Sequence, residues 1–291
     1  TAIRNFLSCP RRYFLSYLLR MDSEDRASAH FGRLVHDVLS RFHKEHPVLS
    51  EYSLEELWKD INALLSRIWD NEVESRFSGN RLQARSYLRL AGEILQAYLQ
   101  GEHSRWDESR TCILAEKNFD FHFDEYSLRG RIDRVDICAP DGGNEIMDFK
   151  TSAYDKEGES AMKSKFLNMD DDPDYRPQDF QLPIYYLAGL SESDLDPQKL
   201  VIYQLRNRSR SSGTPFRREL DILPDEDTRS GKKDKFLTKA DLESVKGDIL
   251  RTLERMVSGL YLPEPRDDNV CERECDFSFI CDKGEEDDRQ D

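Results

Sequence analysis

Apolar residues recur every three or four positions through the N-terminal third of the chain, which is the spacing of amphipathic helices. This spacing predicts three helices, over residues 31–42, 54–68 and 82–99. Runs that alternate β-branched or aromatic residues with polar ones come next, and they predict strands at residues 112–123, 126–138 and 145–151. The first half of the chain is therefore expected to place its helices ahead of a sheet.

The second half of the chain predicts fewer elements and longer connections. We expect a loop at residues 155–177, a helix at 178–190, a strand at 200–205, and a hairpin or mobile insertion at 209–235. Gly158 and two prolines indicate the loop. A last helix is predicted over residues 238–260, because Thr238 is a suitable N-cap and Asp241 lies in the first turn.

Length and charge narrow the class of protein. The 291 residues suit one large domain, or a core with a helical annex. With 43 basic and 58 acidic residues the net charge is −15, which argues against a general coat of DNA-binding charge, although local clusters matter more than the sum. No apolar run approaches the ~20 residues of a membrane helix, so no membrane partner is expected. Because the chain opens on Thr1 without a signal-peptide pattern, we expect a fragment of a longer protein.

Two acids and a lysine lie on neighbouring predicted strands. Asp133 is in the second strand, Asp148 and Lys150 are in the third, and the turn-forming residues 141–144 separate the strands. Alternation along a strand places Asp148 and Lys150 on one face, and Asp133 can face them across the hairpin. Two converging carboxylates repel each other unless a cation joins them. The pattern therefore indicates metal-assisted hydrolysis of a phosphodiester.

This short pattern also has an ordinary interpretation. An Asp-x-Lys in a strand is common, and Asp133 and Asp148 would then be surface residues of a half-exposed sheet. The apolar neighbours Ile132, Val135 and Ile146 instead favour a sheet that is buried on at least one face. Glu116, on the preceding predicted strand, is a further acid that could lie at the edge of the site.

Four of the six cysteines form a second candidate constellation. Cys271, Cys275 and Cys281 lie close together near the C-terminus, whereas Cys9 lies near the N-terminus. Disulfides are not expected in an intracellular protein. A zinc site usually shows two close pairs of cysteines, and four thiolates also suit an iron–sulfur cluster, so both interpretations stay open on the residues alone.

Three more residues complete an ordered set. A Gly-x-x-x-His pattern ends at His36 on a predicted helix, and Gln181 and Tyr185 lie four residues apart on a later helix. With Asp133 and the Asp-Phe-Lys run at 148–150, this order resembles the PD-(D/E)XK nuclease superfamily, in particular its RecB- and AddB-like branch, whose iron–sulfur members carry four cysteines. Each piece alone has an ordinary explanation in helix packing or surface polarity.

The resemblance implies a fold and a mechanism. The fold is an α/β restriction-endonuclease-like core, a central mixed sheet flanked by helices, with an N-terminal helical addition and a C-terminal cysteine segment. The site would bind Mg²⁺ or Mn²⁺ through His36, Asp133, Asp148 and the backbone carbonyl of Phe149. The metal would lower the pKa of a bound water and neutralise the scissile phosphate, while Lys150 would orient that water. Gln181 would help to position Lys150 or the DNA, and Tyr185 would contact the substrate.

The same resemblance implies an activity, partners and a second cofactor. It implies a DNA exonuclease acting on single strands or ends in recombination or repair, in the bacterial cytosol, with a helicase as a separate subunit or as part of the same polypeptide. A 4Fe–4S cluster on Cys9, Cys271, Cys275 and Cys281 would join the two ends of the chain as a structural staple, with zinc as the alternative. The rival hypothesis is a catalytically silent DNA-binding or scaffolding subunit, and the intact set of acids, lysine and histidine argues against it.

Basic clusters outside the hairpin are candidates for DNA contact. They comprise Arg206, Arg208, Arg210, Lys232, Lys233 and Lys235. These residues would form a track for phosphates, and the alternative is an ordinary solvated surface. We expect a single nuclease domain over residues 1–291. Its four parts are a helical part (1–110), a catalytic core (111–207), a basic insertion with the long helix (208–262), and a cluster segment with an acidic tail (263–291).

Overall fold

The computed structural model describes residues 2–21, 27–73, 81–106, 110–138, 143–152, 160–168, 175–192, 195–208, 212–223, 236–266, 270–271, 275–278 and 280–281. Its helices are α1 (Ala2–Ser8), α2 (Pro10–Tyr13), α3 (Ala27–Glu45), α4 (Leu54–Ile68), α5 (Arg81–His103), α6 (Ser160–Lys163), α7 (Gln181–Glu192) and α8 (Lys239–Val257). Its strands are β1 (Arg110–Phe123), β2 (Tyr126–Cys138), β3 (Gly143–Lys150), β4 (Pro197–Arg208), β5 (Pro215–Leu223) and β6 (Phe236–Thr238). Within this part of the chain, no helix combines the length and apolar character that a membrane crossing requires.

The strands form one six-stranded sheet in the order β1-β2-β3-β4-β5-β6. Strands β3 and β4 pair in parallel, whereas β1–β2, β2–β3 and β4–β5 are antiparallel. A parallel pair needs a crossover connection rather than a tight turn, and α6 and α7 lie between β3 and β4 in the chain. The predicted α/β class with a mixed central sheet is therefore confirmed. Strands β4 and β5 form a hairpin, which is one of the two alternatives predicted for residues 209–235.

The described elements group into two compact units. The first comprises Thr1–Glu24, Ser160–Pro183 and Thr238–Asp291, and the second comprises Asp25–Glu159 and Ile184–Leu237. Helices α3 to α5 and strands β1 to β5 belong to the second unit, and helices α1, α2, α6 and α8 to the first.

Local hydrogen bonds decide where several elements begin. Helix α8 starts after Thr238, whose hydroxyl accepts from the Asp241 N–H at 3.1 Å while the Asp241 carboxylate accepts from the Thr238 N–H at 3.0 Å, so the predicted cap is confirmed. The prediction that the preceding helix starts at residue 178 is wrong. The N–H groups of Gln178 and Asp179 donate to the Lys165 carbonyl at 2.6 and 3.2 Å, and α7 begins only at Gln181.

Two further predictions of irregular structure need correction. Residues 155–177 are predicted as a loop throughout, but α6 forms within them, and the buried Lys163 ammonium lies 2.8 Å from the Asp241 carboxylate. The turn predicted at residues 141–144 ends early, because Gly143 and Asn144 already pair with Cys138 and Ile137 in the ladder of β2 and β3. Residues 139–142 lie outside the described part of the chain.

The apolar faces of α3, α4 and α5 form the core of the second unit. Leu34, Val38, Leu57, Ile61 and Leu95 are among the residues buried there. Complete burial of an aliphatic side chain of this size stabilises the fold by roughly 1.5–3 kcal/mol. The three helices predicted from the apolar spacing are thus confirmed. Helix α4 has the predicted bounds, whereas α3 and α5 extend a few residues beyond theirs at both ends.

In the first unit, the N-terminal helices are joined to a C-terminal segment by main-chain contacts. The Arg11 N–H donates to the Leu262 carbonyl at 3.1 Å, and the Arg266 N–H donates to the Ser8 carbonyl at 2.8 Å. The rings of Phe14 and Tyr261 stack with their centroids 5.2 Å apart. Hydrogen bonds and ring contacts therefore hold the start of the chain and residues 262–266 side by side, with no disulfide among the cysteines that the structure describes.

A completely buried arginine lies in the middle of the sheet. Arg134 on β2 has no exposed surface, and its guanidinium binds the Asp136 carboxylate through two contacts of 2.7 and 2.6 Å. The same guanidinium donates to Glu102 of α5 at 2.8 Å and to the Tyr98 hydroxyl, and its charge lies 4.8 Å from the Trp106 ring. Because Arg134 faces the helices, its neighbour Asp133 faces the other side of the sheet.

The buried charge also acts on a histidine of α3. Burial and the Arg134 charge together hold the pKa of His43 well below its ordinary value. The His43 Nε2 atom lies 2.6 Å from the Tyr98 hydroxyl, which also accepts from Arg134. A neutral imidazole therefore belongs to the polar group around the guanidinium.

We expect Arg134→Met to destabilise the fold by about 3–5 kcal/mol, because it leaves Asp136 and Glu102 as buried charges without their main partner. This is a large part of the total stability of a domain. Arg129→Met is the matched control, since Arg129 lies on the same strand but its side chain is 77% exposed. Urea unfolding followed by circular dichroism measures both variants. Equal midpoints for the two variants would contradict this account of the core.

Candidate active site

Two carboxylates meet where the ladder of β2 and β3 ends. Arg134 lies opposite Met147 in this ladder, so Asp133 and Asp148 are the next residues along their strands. The Phe149 N–H donates to the Asp133 carboxylate, with 2.7 Å between the nitrogen and Oδ2. This hydrogen bond holds Asp133 Oδ2 in place, so that Oδ1 is the oxygen that faces other side chains. Both acids are buried, so they are not surface residues of a half-exposed sheet.

Helix α3 brings a histidine to this point. Its Gly32 lies against the end of β3, and a Cβ atom at this position would come within 3.0 Å of the Thr151 hydroxyl. The close approach of helix and strand allows His36, one turn later, to place Nδ1 3.3 Å from Asp133 Oδ1. The His36 ring also meets Phe149 edge-on, with 6.0 Å between the ring centroids. The glycine of the Gly-x-x-x-His pattern is therefore explained by steric crowding, because a larger residue would press on Thr151.

A lysine joins the second acid. The Lys150 ammonium lies 2.6 Å from Asp148 Oδ2, and the Lys150 side chain keeps 29% of its surface exposed. Burial raises the pKa of Asp148 to about 6, against the opposing effect of Lys150 and with a further increase from the Asp133 charge. The Asp133 charge thus destabilises the charged form of Asp148, as expected where carboxylates converge.

The acids also act on the histidine. Burial alone would lower the pKa of His36, but the hydrogen bond and charge of Asp133, with the charges of Asp148 and Glu116, raise it above its ordinary value. The His36 imidazole therefore lies in the field of three carboxylates.

Glu116 is a third acid at the edge of the site, and no motif in its local sequence identifies it. Ala115 and Lys117 of β1 pair with Arg134 and Ile132, so Glu116 lies opposite Asp133. Its backbone has a φ of 51°, a left-handed conformation that is disfavoured for a residue with a Cβ atom. Burial raises the pKa of Glu116, and the nearby Arg131 charge lowers it in part. Only the strand register, which the sequence does not show, brings this acid to the site.

The donor set suits a hard divalent cation. One imidazole nitrogen and two carboxylates, with a backbone carbonyl at Phe149, are ligands that Mg²⁺ or Mn²⁺ accepts. Among the described residues, however, no three His, Cys, Asp or Glu side chains stand together at metal-binding distance. His36 contacts Asp133, whereas Asp148 contacts Lys150. These residues therefore suit a divalent cation by ligand type and by proximity, without a set of three ligand side chains already grouped together in the described part of the chain.

The two helical candidates occupy different units. Tyr185 is buried in the second unit, and its ring meets the Phe119 ring edge-on at 6.0 Å. Phe119 in turn covers Gly130, where a Cβ atom would overlap the ring and lie 2.9 Å from Cε1. Gln181 belongs to the first unit and begins α7, with its N–H donating to the Asp179 carboxylate at 2.9 Å. Their functional roles remain predictions.

The basic candidates are described only in part. Arg206 is exposed and lines a groove of about 410 Å³ beside α5, together with Leu82 and Tyr87. Arg208 is exposed and donates to the Glu93 carbonyl of α5 at 2.9 Å. The other four candidates lie outside the described residues: Arg210, Lys232, Lys233 and Lys235.

The four candidate cysteines all lie in the first unit and influence one another. Burial raises the pKa of Cys9, the N–H groups of Arg12 and Arg11 oppose this effect, and the charges of Cys271 and Cys275 add to it. Burial and the charges of Cys9 and Cys275 likewise raise the pKa of Cys281. The two ends of the chain therefore bring these thiols into one neighbourhood, although the same absence of three grouped ligand side chains holds for the cysteines that the structure describes.

Comparison with known proteins adds a family and several relatives. The model of the PD-(D/E)XK nuclease superfamily matches residues 1–282. A subunit of an ATP-dependent helicase/deoxyribonuclease from Lactococcus lactis subsp. lactis strain IL1403 is 27% identical over 168 residues, and the exonuclease/helicase protein RexB of Lactococcus lactis subsp. cremoris strain MG1363 is 26% identical over 168 residues. Each match covers 53% of this chain but only 14% of the relative, so the chain spans a small part of these proteins. The crystal structure of SSO0001 is 16% identical, with a TM-score of 0.32 over 85% of this chain and 84% of that chain.

The packing around Gly130 gives a prediction about the sheet beside the site. We expect Gly130→Ala to destabilise the fold by about 1–3 kcal/mol, because the new methyl group must displace the Phe119 ring. In the Phe119→Leu background the same substitution should have little effect, or should stabilise the strand slightly. Urea unfolding of the two single variants and the double variant measures this coupling. Additive effects would show that the ring does not rest on Gly130.

Proposed function

Because this chain belongs to the PD-(D/E)XK nuclease superfamily, we propose that it is a metal-dependent deoxyribonuclease that hydrolyses phosphodiester bonds. One observation supports this activity above the others. Four residues from two strands and a helix meet at the end of the β2–β3 ladder: His36, Asp133, Asp148 and Lys150. The resemblance to the RecB-like branch implies a nitrogen ligand, two acids and a cationic side chain at the hydrolytic centre, and the proximity of these four residues supports that assignment.

Each of these residues has a distinct part in the proposed reaction. A divalent cation held by His36, Asp133, Asp148 and the Phe149 carbonyl would supply Lewis-acid activation of water and neutralise charge on the phosphate. Asp133 is held by the Phe149 N–H, so its second oxygen keeps a fixed direction toward His36. Lys150 is partly exposed and has a carboxylate beside it, so its ammonium can orient the attacking water and stabilise the negative charge that develops on the phosphate.

The substrate and partners are proposed from the relatives' names. These names state a helicase together with a deoxyribonuclease for one Lactococcus lactis protein, and an exonuclease together with a helicase for the other. We extend these functions to this chain as an exonuclease on single strands or DNA ends in recombination or repair. A helicase would work beside it, as another subunit or as another part of the same polypeptide. Such a substrate places the protein in the bacterial cytosol or nucleoid.

The basic residues would guide the DNA strand. Arg206 is exposed and lies near the end of β4, the strand that pairs with β3 and its Lys150. Together with Arg208, Arg210 and the lysines at 232, 233 and 235, it would neutralise phosphates along the approach to the site. Such contacts weaken as salt rises, because binding releases counterions from the strand.

A catalytically silent DNA-binding subunit is the second candidate function. The short span of the match to each relative is compatible with it, because the remaining part of such a protein could perform the cleavage. The presence of the whole acid, lysine and histidine set in one place favours the active enzyme, since a silent domain does not require all four residues.

We expect Asp148→Asn to abolish metal-dependent cleavage while the protein stays folded, because the substitution keeps the side-chain shape but removes the charge needed for a cation. The assay incubates end-labelled single- and double-stranded DNA with the protein and either Mn²⁺, Mg²⁺ or a chelator. Circular dichroism melting checks the fold. Asp120→Asn is the matched control, because Asp120 is an exposed acid on β1.

Three results would contradict the proposed function. Cleavage by Asp148→Asn at the parent rate would remove the proposed site. Cleavage by the parent that persists in the chelator would remove the metal. A parent protein that binds DNA but never cuts it would support the silent subunit instead.

We also propose a metal cluster that joins the two ends of the chain. Cys9, Cys271, Cys275 and Cys281 would hold a 4Fe–4S cluster, with zinc as the alternative occupant. The effects of the other thiols on the pKa values of Cys9 and Cys281, and the main-chain bonds of Arg11 and Arg266 in the same unit, support a shared location. Four thiolate bonds would offset the loop-closure entropy of joining residues so far apart in the chain, which grows only slowly with loop length.

We expect Cys9→Ser to lower the melting temperature strongly and to change the cleavage chemistry little, because the cluster would hold structure rather than act on DNA. Cys138→Ser is the control, since Cys138 is a half-buried cysteine of the other unit. Anaerobically purified protein should be brown, with broad absorbance near ~400 nm and about four irons per chain. Colourless protein with one zinc would replace the cluster but keep the staple. Colourless, metal-free protein that melts like Cys9→Ser would contradict both.

A further inference from the structure

An arginine lies beside the candidate site, and the reaction proposed above does not use it. Arg131 precedes Asp133 by two residues on β2, and alternation along the strand places both side chains on the same face. The pairing of β1 and β2 is regular here, with Asn118 opposite Arg131 and Lys117 opposite Ile132. Asp133 is buried, whereas the Arg131 side chain keeps 43% of its surface exposed. The same face of β2 therefore has a buried carboxylate at Asp133 and a partly exposed cationic side chain at Arg131.

Glu116 holds this arginine from the neighbouring strand. The Arg131 Nη2 atom lies 3.1 Å from Glu116 Oε1, and the Glu116 side chain is only 12% exposed. The Oε1 atom is buried and accepts no well-aligned hydrogen bond from the residues that the structure describes, so the Arg131 charge is its compensation. Glu116 also has a left-handed backbone, with a φ of 51°. Sparse backbone conformations of this kind concentrate at functional sites.

The local excess of carboxylates favours a second cationic side chain beside an anionic substrate. Asp133, Asp148 and Glu116 all act on His36, so three carboxylates share this neighbourhood. A phosphodiester that approaches them is repelled unless cations lie at its side. Lys150 is one such cation, and Arg131 is a second, on the adjacent strand. A guanidinium has five N–H donors, so the contact with one Glu116 oxygen leaves donors that can face a phosphate.

We propose that Arg131 binds a backbone phosphate of the nucleic-acid strand next to the scissile position, and that Glu116 is the positioning residue that holds its guanidinium there. The inference rests on the proposed nuclease function and adds to it a substrate contact distinct from the metal ligands and from Lys150. The ligand class is the phosphodiester of a single strand. Arg131 is a binding residue, and Glu116 acts through it.

The next arginine along the same strand provides a matched control. Arg129 shares the strand, the face and the charge of Arg131, and it also pairs with an acid of β1, Asp120, at 2.8 Å. Both members of that pair are well exposed, at 77% and 53%, and it lies two residues farther from Asp133. An exposed pair of this kind is a surface feature of small energetic consequence. A difference in DNA binding between the Arg131 and Arg129 variants therefore reflects where each arginine lies, since both carry the same charge.

Binding is tested with a fluorescein-labelled oligothymidylate strand, by anisotropy at several salt concentrations. All proteins carry Lys150→Met, so that the strand is not cut. We expect Arg131→Gln to weaken binding roughly tenfold, which is the loss of one charge-assisted hydrogen bond. The slope of log affinity against log salt should become shallower by about 0.7, the value for one phosphate contact on a single strand. Arg129→Gln should change neither quantity by a comparable amount, and Arg131→Lys should keep the slope while losing part of the affinity.

The role of Glu116 is tested by Glu116→Gln and Glu116→Asp. Glu116→Gln should lower the affinity for the strand by severalfold, because the guanidinium loses its charged partner, and Glu116→Asp should restore part of this loss. Calorimetric titration with Mn²⁺ supplies a readout that is independent of cleavage. We expect the Mn²⁺ affinity of Arg131→Gln to match that of its parent. A fall in Mn²⁺ affinity with an unchanged salt slope would instead make Arg131 a support of the metal site and would overturn the proposal.

The outcomes separate this inference from the proposed function. If the parent binds and cuts DNA but Arg131→Gln behaves like Arg129→Gln, only the Arg131 contact is wrong. If the parent cuts DNA but the Lys150→Met protein binds no strand at any salt concentration, only this inference fails, and if the parent neither binds nor cuts DNA, the proposed function and this inference both fail. Melting curves identify a variant that does not fold. If Arg131→Gln does not fold, Arg131→Lys is compared with Arg129→Lys: a larger loss of affinity in Arg131→Lys supports the proposal, and equal affinities of the two variants overturn it.

Discussion

The buried guanidinium of Arg134 is the interaction on which the sheet and its site depend. An unpaired buried charge is strongly unfavourable, so Arg134 can lie inside the second unit only with Asp136 and Glu102 against it. This requirement fixes which face of β2 meets the helices. Since side chains alternate along a strand, Asp133 then points to the face opposite Arg134, where His36 of α3 meets it at the end of the ladder. The position of the first candidate acid is thus a consequence of a neighbouring residue that has no part in the proposed chemistry.

Charge compensation organises the opposite face of the sheet in the same way. Asp133 has a backbone N–H and a histidine, Asp148 has Lys150, and Glu116 has Arg131. Each acid therefore has its own partner. The arrangement keeps three carboxylates close together in a protein with an excess of acids, and it leaves two cationic side chains, Lys150 and Arg131, partly exposed. A cation at this centre would complete a balance that the protein side chains only begin.

The first unit follows a different principle, since its stability depends on joining segments that are far apart in the chain. Main-chain bonds link Ser8 and Arg11 to Arg266 and Leu262, and aromatic rings stack beside them. Helix α8 begins in this unit at a capping box whose acid, Asp241, also pairs with the buried Lys163. The four candidate cysteines lie in the same unit, so a shared metal would reinforce a connection that hydrogen bonds already make.

Local sequence alone determined much of this protein. Apolar spacing predicted α3, α4 and α5, turn and cap chemistry predicted the start of α8, and strand alternation predicted that Asp148 and Lys150 share a face, because each of these depends on residues only a few positions apart. Tertiary structure decided the rest. The late start of α7 depends on the Lys165 carbonyl, the parallel pairing of β3 with β4 depends on a long crossover, and the places of Glu116 and Arg134 depend on strand register and on α5. Partners so distant in sequence leave no periodic signal, because their energies arise only when folding brings the segments together.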